Sequence, residues 1–192
     1  MLLLALAVAA TRPVAEAEQA FAAAAQRDGQ WRAFKDHSAP GAVMLAPDLV
    51  DAKTFLEPLV EPKVAVMWWP ARTVTSCDGA LAFSTGPWRR DGGRQAGRYF
   101  MIWQRQPDGN WAWIYDGGTE DGGAMPVGDR PVAVRAACRG KPAPVDAAGG
   151  VKSGASPDGS FHWRLDKRDR PYRLTVSYRT ARGWGRETAA VG

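Results

Sequence analysis

The stretch Phe100-Met101-Ile102-Trp103-Gln104-Arg105-Gln106-Pro107-Asp108-Gly109-Asn110-Trp111, continued by Ala112-Trp113-Ile114-Tyr115-Asp116, decides the fold. Apolar residues alternate on both sides of a Pro-Asp-Gly-Asn turn, and Asp-Gly supplies the positive φ that tight hairpin turns require. Two antiparallel strands follow. On the first, Tyr99, Met101 and Trp103 project to one face and Phe100 and Ile102 to the other. On the second, Trp111, Trp113 and Tyr115 alternate with Ala112, Ile114 and Asp116. Both faces are largely apolar, so both need a cover.

The same signals extend towards the amino terminus. Asp78-Gly79 and Asp91-Gly92-Gly93 divide apolar runs at 64–75, 80–88 and 98–106, and with 111–116 these predict a four-stranded antiparallel meander. Before it, Val14, Ala17, Phe21, Ala24 and Ala25 return at three- and four-residue steps within good helix formers, which predicts an amphipathic helix. Asp28-Gly29 breaks it, and 30–35 forms a short second helix carrying Trp31 and Phe34. A brief strand at 42–45 and a helical turn at 53–59 complete this part. After residue 118 the chain is rich in Gly, Pro and Ala. A short apolar segment at 132–138 reads as an edge strand, 139–160 as a poorly structured loop, 161–165 with 173–178 as a hairpin, and 184–188 as a further strand. No internal repeat is visible.

The 192 residues, 45% hydrophobic and 23% charged, have the composition of a folded globular chain. Two histidines and two cysteines cannot assemble an HExxH motif, a CxxC pair or a Cys/His zinc cluster, so no metal and no cofactor is implied. There is no GxSxG, and Gly92-Gly93-Arg94-Gln95-Ala96-Gly97 is not a phosphate loop. The charge is lopsided: residues 1–128 hold 12 Lys+Arg against 14 Asp+Glu, and residues 129–192 hold 13 against 6. The basic residues of the tail form no stripe at helical spacing and read as a solvated face, not a nucleic-acid site.

Residues 1–10 (MLLLALAVAA) match the roughly 7 to 15 residue apolar core of a secretory signal and fall short of the roughly 18 needed to span a bilayer. This predicts an exported protein, periplasmic or secreted, with no stable membrane span. An even cysteine count in an oxidising compartment favours a Cys77–Cys138 bridge over two buried thiols. Such a bridge would clamp the tail beside Asp78-Gly79, with Cα atoms about 4.4 to 6.8 Å apart.

The element order, with Pro40-Gly41-Ala42-Val43-Met44 and the 100–111 segment, resembles the nuclear transport factor 2-like superfamily, which includes the ketosteroid isomerases and SnoaL-like polyketide cyclases. The resemblance covers about residues 14–118 and is strongest to small exported members of unknown function. It implies an α+β cone: a curved antiparallel sheet with amino-terminal helices on its concave face, here followed by a mainly β extension over 119–192. It also implies a pocket between helix 1 and the sheet, for which Trp31, Phe34, Met44, Trp68, Tyr99, Trp103 and Trp113 are the lining candidates. His37, just after the second helix, reads from its position either as a general base at the mouth or, more commonly for a lone histidine, as a cap or surface group. The segment departs from the family pattern at Gly41, where an Asp is often found, and at 114–118, which lacks the histidines of some catalytic members.

Nine tryptophans either fill the core between the curved sheet and its cover, the commoner role, or line a pocket for a small apolar or aromatic ligand. An isomerase, cyclase or lyase would instead need a carboxylate base and a phenol. Asp48 or Asp116 with Tyr99 are the candidates, although both aspartates read as solvated strand ends. Two or more ionisable side chains within about 5 Å of each other at the pocket floor, with a carboxyl strongly raised by burial, would favour the enzyme. A third reading is association through the convex face, at Phe100, Ile102 and Ile114. If the extension covers that face, a monomer is expected; if not, a homodimer.

Overall fold

The computed structural model describes residues 12–122, 125, 128–141, 150–167 and 171–192; the signal-like segment 1–10 lies outside them. The architecture is α+β. Helices α1 (Val14–Asp28) and α2 (Gln30–Asp36) come first, and then strands β1 (Ser38–Leu45) and β2 (Leu49–Asp51) and helix α3 (Ala52–Leu56). Strands β3 (Met67–Trp68), β4 (Arg72–Thr75), β5 (Leu81–Arg90), β6 (Gln95–Arg105) and β7 (Trp111–Thr119) follow, and then β8 (Val132–Arg135). A second unit of strands, β9 (Lys152–Ala155), β10 (Phe161–Asp166), β11 (Tyr172–Thr180) and β12 (Gly183–Val191), closes the chain. No described helix is long and apolar enough to cross a membrane.

The meander β4-β5-β6-β7 is antiparallel throughout, as the Asp-Gly turns predict. The sheet as a whole is mixed, because β1 joins β7 and β8 joins β4 in parallel, giving the order β2-β1-β7-β6-β5-β4-β8. The run 64–75 is not one strand: Pro70, which has no N–H to donate, sits in the break between β3 and β4. Trp111 and Trp113 face the helices with Tyr99, Met101 and Trp103, but Tyr115 does not. A bulge at Ile114 pairs Trp113 with Trp103 and Tyr115 with Ile102, so one extra residue reverses the alternation beyond it. Tyr115 is buried on the opposite face, and Asp116 turns to the helix side opposite Met101.

Two cores result. Phe21, Ala25, Phe34 and Leu56 of the helices pack on Met44, Trp68, Met101, Trp103 and Trp113. Phe83, Phe100, Ile102 and Tyr115 on the other face pack against Phe161, Trp163, Leu165, Leu174, Val176 and Val191. The extension is thus a four-stranded sheet, β12-β11-β10-β9, laid over the face on which association was expected. Between the sheets, Arg72 donates to Glu187 at 2.9 Å and to the Tyr178 hydroxyl at 3.1 Å. We expect a monomer by light scattering, and self-association of a chain ended after Gly122, which would uncover Phe83, Phe100 and Ile102.

The described part of 139–160 is not all loop: it includes β9 and the turn Ser156-Pro157-Asp158-Gly159-Ser160. That turn discloses a structural repeat that the sequence reading missed. Ser76-Cys77-Asp78-Gly79-Ala80-Leu81 and Ser156-Pro157-Asp158-Gly159-Ser160-Phe161 make the same hydrogen bonds. In each, the serine hydroxyl donates to the aspartate at 2.6 Å and accepts from the N–H five residues on, at 3.0 Å and 3.1 Å respectively. The two turns dock reciprocally, Asp78 N–H donating to Asp158 and Asp158 N–H to Asp78, both at 3.1 Å.

The strand registers match as well. Phe83 pairs with Ile102 as Trp163 pairs with Val176, Val74 with Phe83 as Gly154 with Trp163, and Arg105 with Trp111 as Arg179 with Trp184. Arg105 donates to the Gly79 carbonyl and Arg179 to that of Gly159, and each guanidinium lies over its paired tryptophan. The extension repeats the meander β4-β5-β6-β7. Cys77 and Cys138 lie beside the docked turns at disulfide distance, with Cα atoms 5.1 Å apart, inside the expected interval.

Candidate functional site

A cleft of about 420 Å³ opens between α2, the segment 57–66 and the helix-facing side of the sheet. Its walls are Trp31 and Phe34 from α2, Trp68 from β3 and Trp88 from β5. Tyr99 and Met101 form the floor with Asp116, and exposed Pro62, Val64, Arg90 and Asp91 form the rim. The 57–66 segment is tied down by polar contacts. The Glu61 carboxylate accepts from the Trp31 and Arg32 N–H groups at 3.0 and 2.8 Å, Gln26 donates to the Val66 carbonyl at 2.7 Å, and Gln30 accepts from Val66 N–H at 2.8 Å. Glu61 has room because residue 29 is glycine: a Cβ there would stand 2.8 Å from the Glu61 carboxyl carbon, and φ is +111°.

Of the candidates, Trp31, Phe34, Trp68 and Tyr99 line this cleft. Met44, Trp103 and Trp113 are buried in the core around it and do not line it. His37 belongs elsewhere. It caps the end of α2, stacks on Phe21 at 5.0 Å and lines a separate cleft with Asp36, Asp108 and Trp111, and burial lowers its pKa against the opposing pull of Asp36. Asp48 is half-buried away from this cleft, bonded to Lys167 and the Tyr172 hydroxyl. Asp116 is the correction: it is not a solvated strand end, because the Ile114 bulge turns it into the cleft.

The electrostatics of the floor are unusual. Burial, and then the nearby Glu18 charge, push the Asp116 carboxyl up to about 7, with the Gly117 N–H opposing. The Tyr99 hydroxyl is buried without a hydrogen bond among the described residues, and burial, then the Glu18 and Asp116 charges, hold it protonated well above its ordinary range against the opposing pull of the nearby Ser84 hydroxyl. Behind them lies Glu18, fully buried in α1. Its carboxylate accepts from Trp68 Nε1 at 2.7 Å, from Trp103 Nε1 at 3.2 Å and from the Ser84 hydroxyl. Burial still raises Glu18 to about 7, outweighing the three donors.

Glu18 was absent from the sequence candidates, but a signal existed. It lies four residues after Val14 and three before Phe21, in the middle of the apolar stripe of α1. Among the described residues no group of three potential ligands could hold a metal ion. No family model matches the chain, and no curated protein matches it.

Proposed function

We propose that the cleft binds a compact, planar, largely apolar molecule carrying a hydrogen-bond acceptor, and that the chain is a small exported ligand-binding protein with a nuclear transport factor 2-like cone over residues 14–118. The observation that carries this reading is the aromatic cleft itself. Its 420 Å³ lies within the range of small-molecule sites, and Trp31, Phe34, Trp68 and Trp88 supply apolar walls. The unpartnered Tyr99 hydroxyl and the Asp116 carboxyl are the polar groups at the floor that a ligand acceptor would meet. Helices on one face of a meander, in the predicted order, support the cone assignment.

A thermal-shift screen of apolar, aromatic and sugar compounds tests this. Planar aromatic ketones or phenols should raise Tm and sugars should not; no shift with any class would refute the reading. Because protonated Asp116 donates to an acceptor and ionised Asp116 does not, affinity should be constant below pH 6 and weaken about tenfold per unit above pH 7. Asp116→Asn should bind with no such pH dependence.

A second reading is favoured by the Asp116 value specifically. A carboxyl near 7 beside a protonated phenol suits proton transfer next to a carbonyl, with Asp116 moving the proton and Tyr99 stabilising the enolate oxygen. Exchange of a ligand α-proton for deuterium, lost in Asp116→Asn by a factor of about 100 or more, would distinguish this enzyme from a binder.

A further inference from the structure

The repeat allows each position of the second sheet to be compared with its counterpart in the first. On the meander the outward positions Tyr99, Met101, Trp103 and Trp113 are buried beneath the helices. Their counterparts are Arg173, Thr175, Ser177 and Arg186, while Ser84 becomes Arg164 and Ala82 becomes His162. Among the described residues no helix covers this side, and Arg173 and Arg186 are exposed.

Loss of the helical cover explains the exchange of tryptophan and methionine for polar residues. It does not explain the sign. A face under selection for solubility alone mixes charges, whereas among the described residues Arg164, Arg173, Arg179 and Arg186 here accompany one acidic residue, Asp166, bonded to Arg164 at 2.8 Å. The stripe that is absent at helical spacing is present at strand spacing. Alternate residues lie about 7 Å apart along a strand, so successive rows across β10, β11 and β12 each carry a cation, beginning with Trp184 against Arg179 and His162.

We propose that the outer face of the β9–β12 sheet docks an acidic polysaccharide, bearing carboxylate or sulfate groups, with exposed Arg173 and Arg186 taking the anions. Charge complementarity selects a polyanion. The cysteine pair points to an oxidising compartment, which favours glycans and lipid headgroups over nucleic acid. Thr175 and Ser153 between the cations give hydroxyl partners and no apolar wedge to enter a bilayer, which favours the glycan over the lipid.

The full chain, titrated with polygalacturonate and with dextran sulfate at low salt, is expected to bind at least one of them, with affinity falling steeply as salt rises. Arg173→Glu with Arg186→Glu should weaken binding at least about tenfold without lowering Tm, whereas Arg89→Glu with Arg94→Glu, an exposed pair on the first sheet, should change it less than about twofold. Equal loss in both double variants would reduce the effect to net charge and overturn the proposal. So would no binding to either polymer, or tighter binding to a single-stranded DNA oligonucleotide or to phosphatidylserine vesicles in the same buffer.

Discussion

The unfolding free energy is expected to fall as pH rises from about 5 to about 7, and Glu18→Gln is expected to remove a little under half of that fall, Asp116 keeping the rest. The Glu18 carboxyl titrates near 4.5 in an unfolded chain and near 7 when folded. Between those values the native state holds the extra proton, so stability declines with pH; below 4.5 and above 7 the contribution is flat. The interval corresponds to about 3 kcal/mol from this group, and Asp116, raised from 3.8 to about 7, acts with the same sign. Glutamine reproduces the protonated state: its carbonyl can accept from Trp68, and its amide can donate to the Ser84 hydroxyl, which also accepts from Trp103 at 2.9 Å. Glu18→Ala should instead cost about 3 kcal/mol or more at every pH, because it strands the Trp68 indole N–H and opens a cavity. Urea melts of the three proteins at pH 5, 6, 7 and 8 measure this; a wild-type midpoint that rises with pH would contradict it.

That carboxylate also shows where sequence reading stops. The order of helices and strands was legible because each signal is local: Asp-Gly turns, a 3.6-residue stripe in 14–28, alternation in 98–116. The pocket floor was not. Asp116 follows a run in which both faces are apolar, so nothing in Trp113-Ile114-Tyr115 announces that Ile114 bulges and reverses the faces. Met44, Trp103 and Trp113 looked like lining residues because an aromatic on the helix side of a sheet can serve as either wall or core, and only depth separates the two. The repeat was hidden for a related reason. Its two copies share turns and register, but one outward face is sealed by helices and the other meets solvent, so the strand residues diverged in polarity where similarity would have been sought.

Removing the Cys77–Cys138 pair is expected to destabilise the protein by about 4 kcal/mol, the chain-entropy value for a closed loop of this length, whose cysteines are 61 residues apart. The loss should fall unevenly. The bridge lies where the Ser76–Leu81 and Ser156–Phe161 turns dock, and Arg135 donates to the Cys77 carbonyl while Arg179 donates to that of Cys138. Without the covalent tie, the connection through 125–141, whose described residues are mostly exposed, has little burial of its own to hold β8 on β4. The second sheet keeps its contacts with Phe83, Phe100 and Ile102, so it should loosen without leaving. Cys77→Ala with Cys138→Ala should therefore speed amide exchange first in β8 and in the two docked turns, and only later in β5 and β6. Trypsin should cut at Arg139 before it cuts within 12–119. The unreduced, denatured wild type should contain no titratable thiol. Two thiols there, or exchange that rises uniformly across both sheets in the variant, would mean that the turns dock without the clamp.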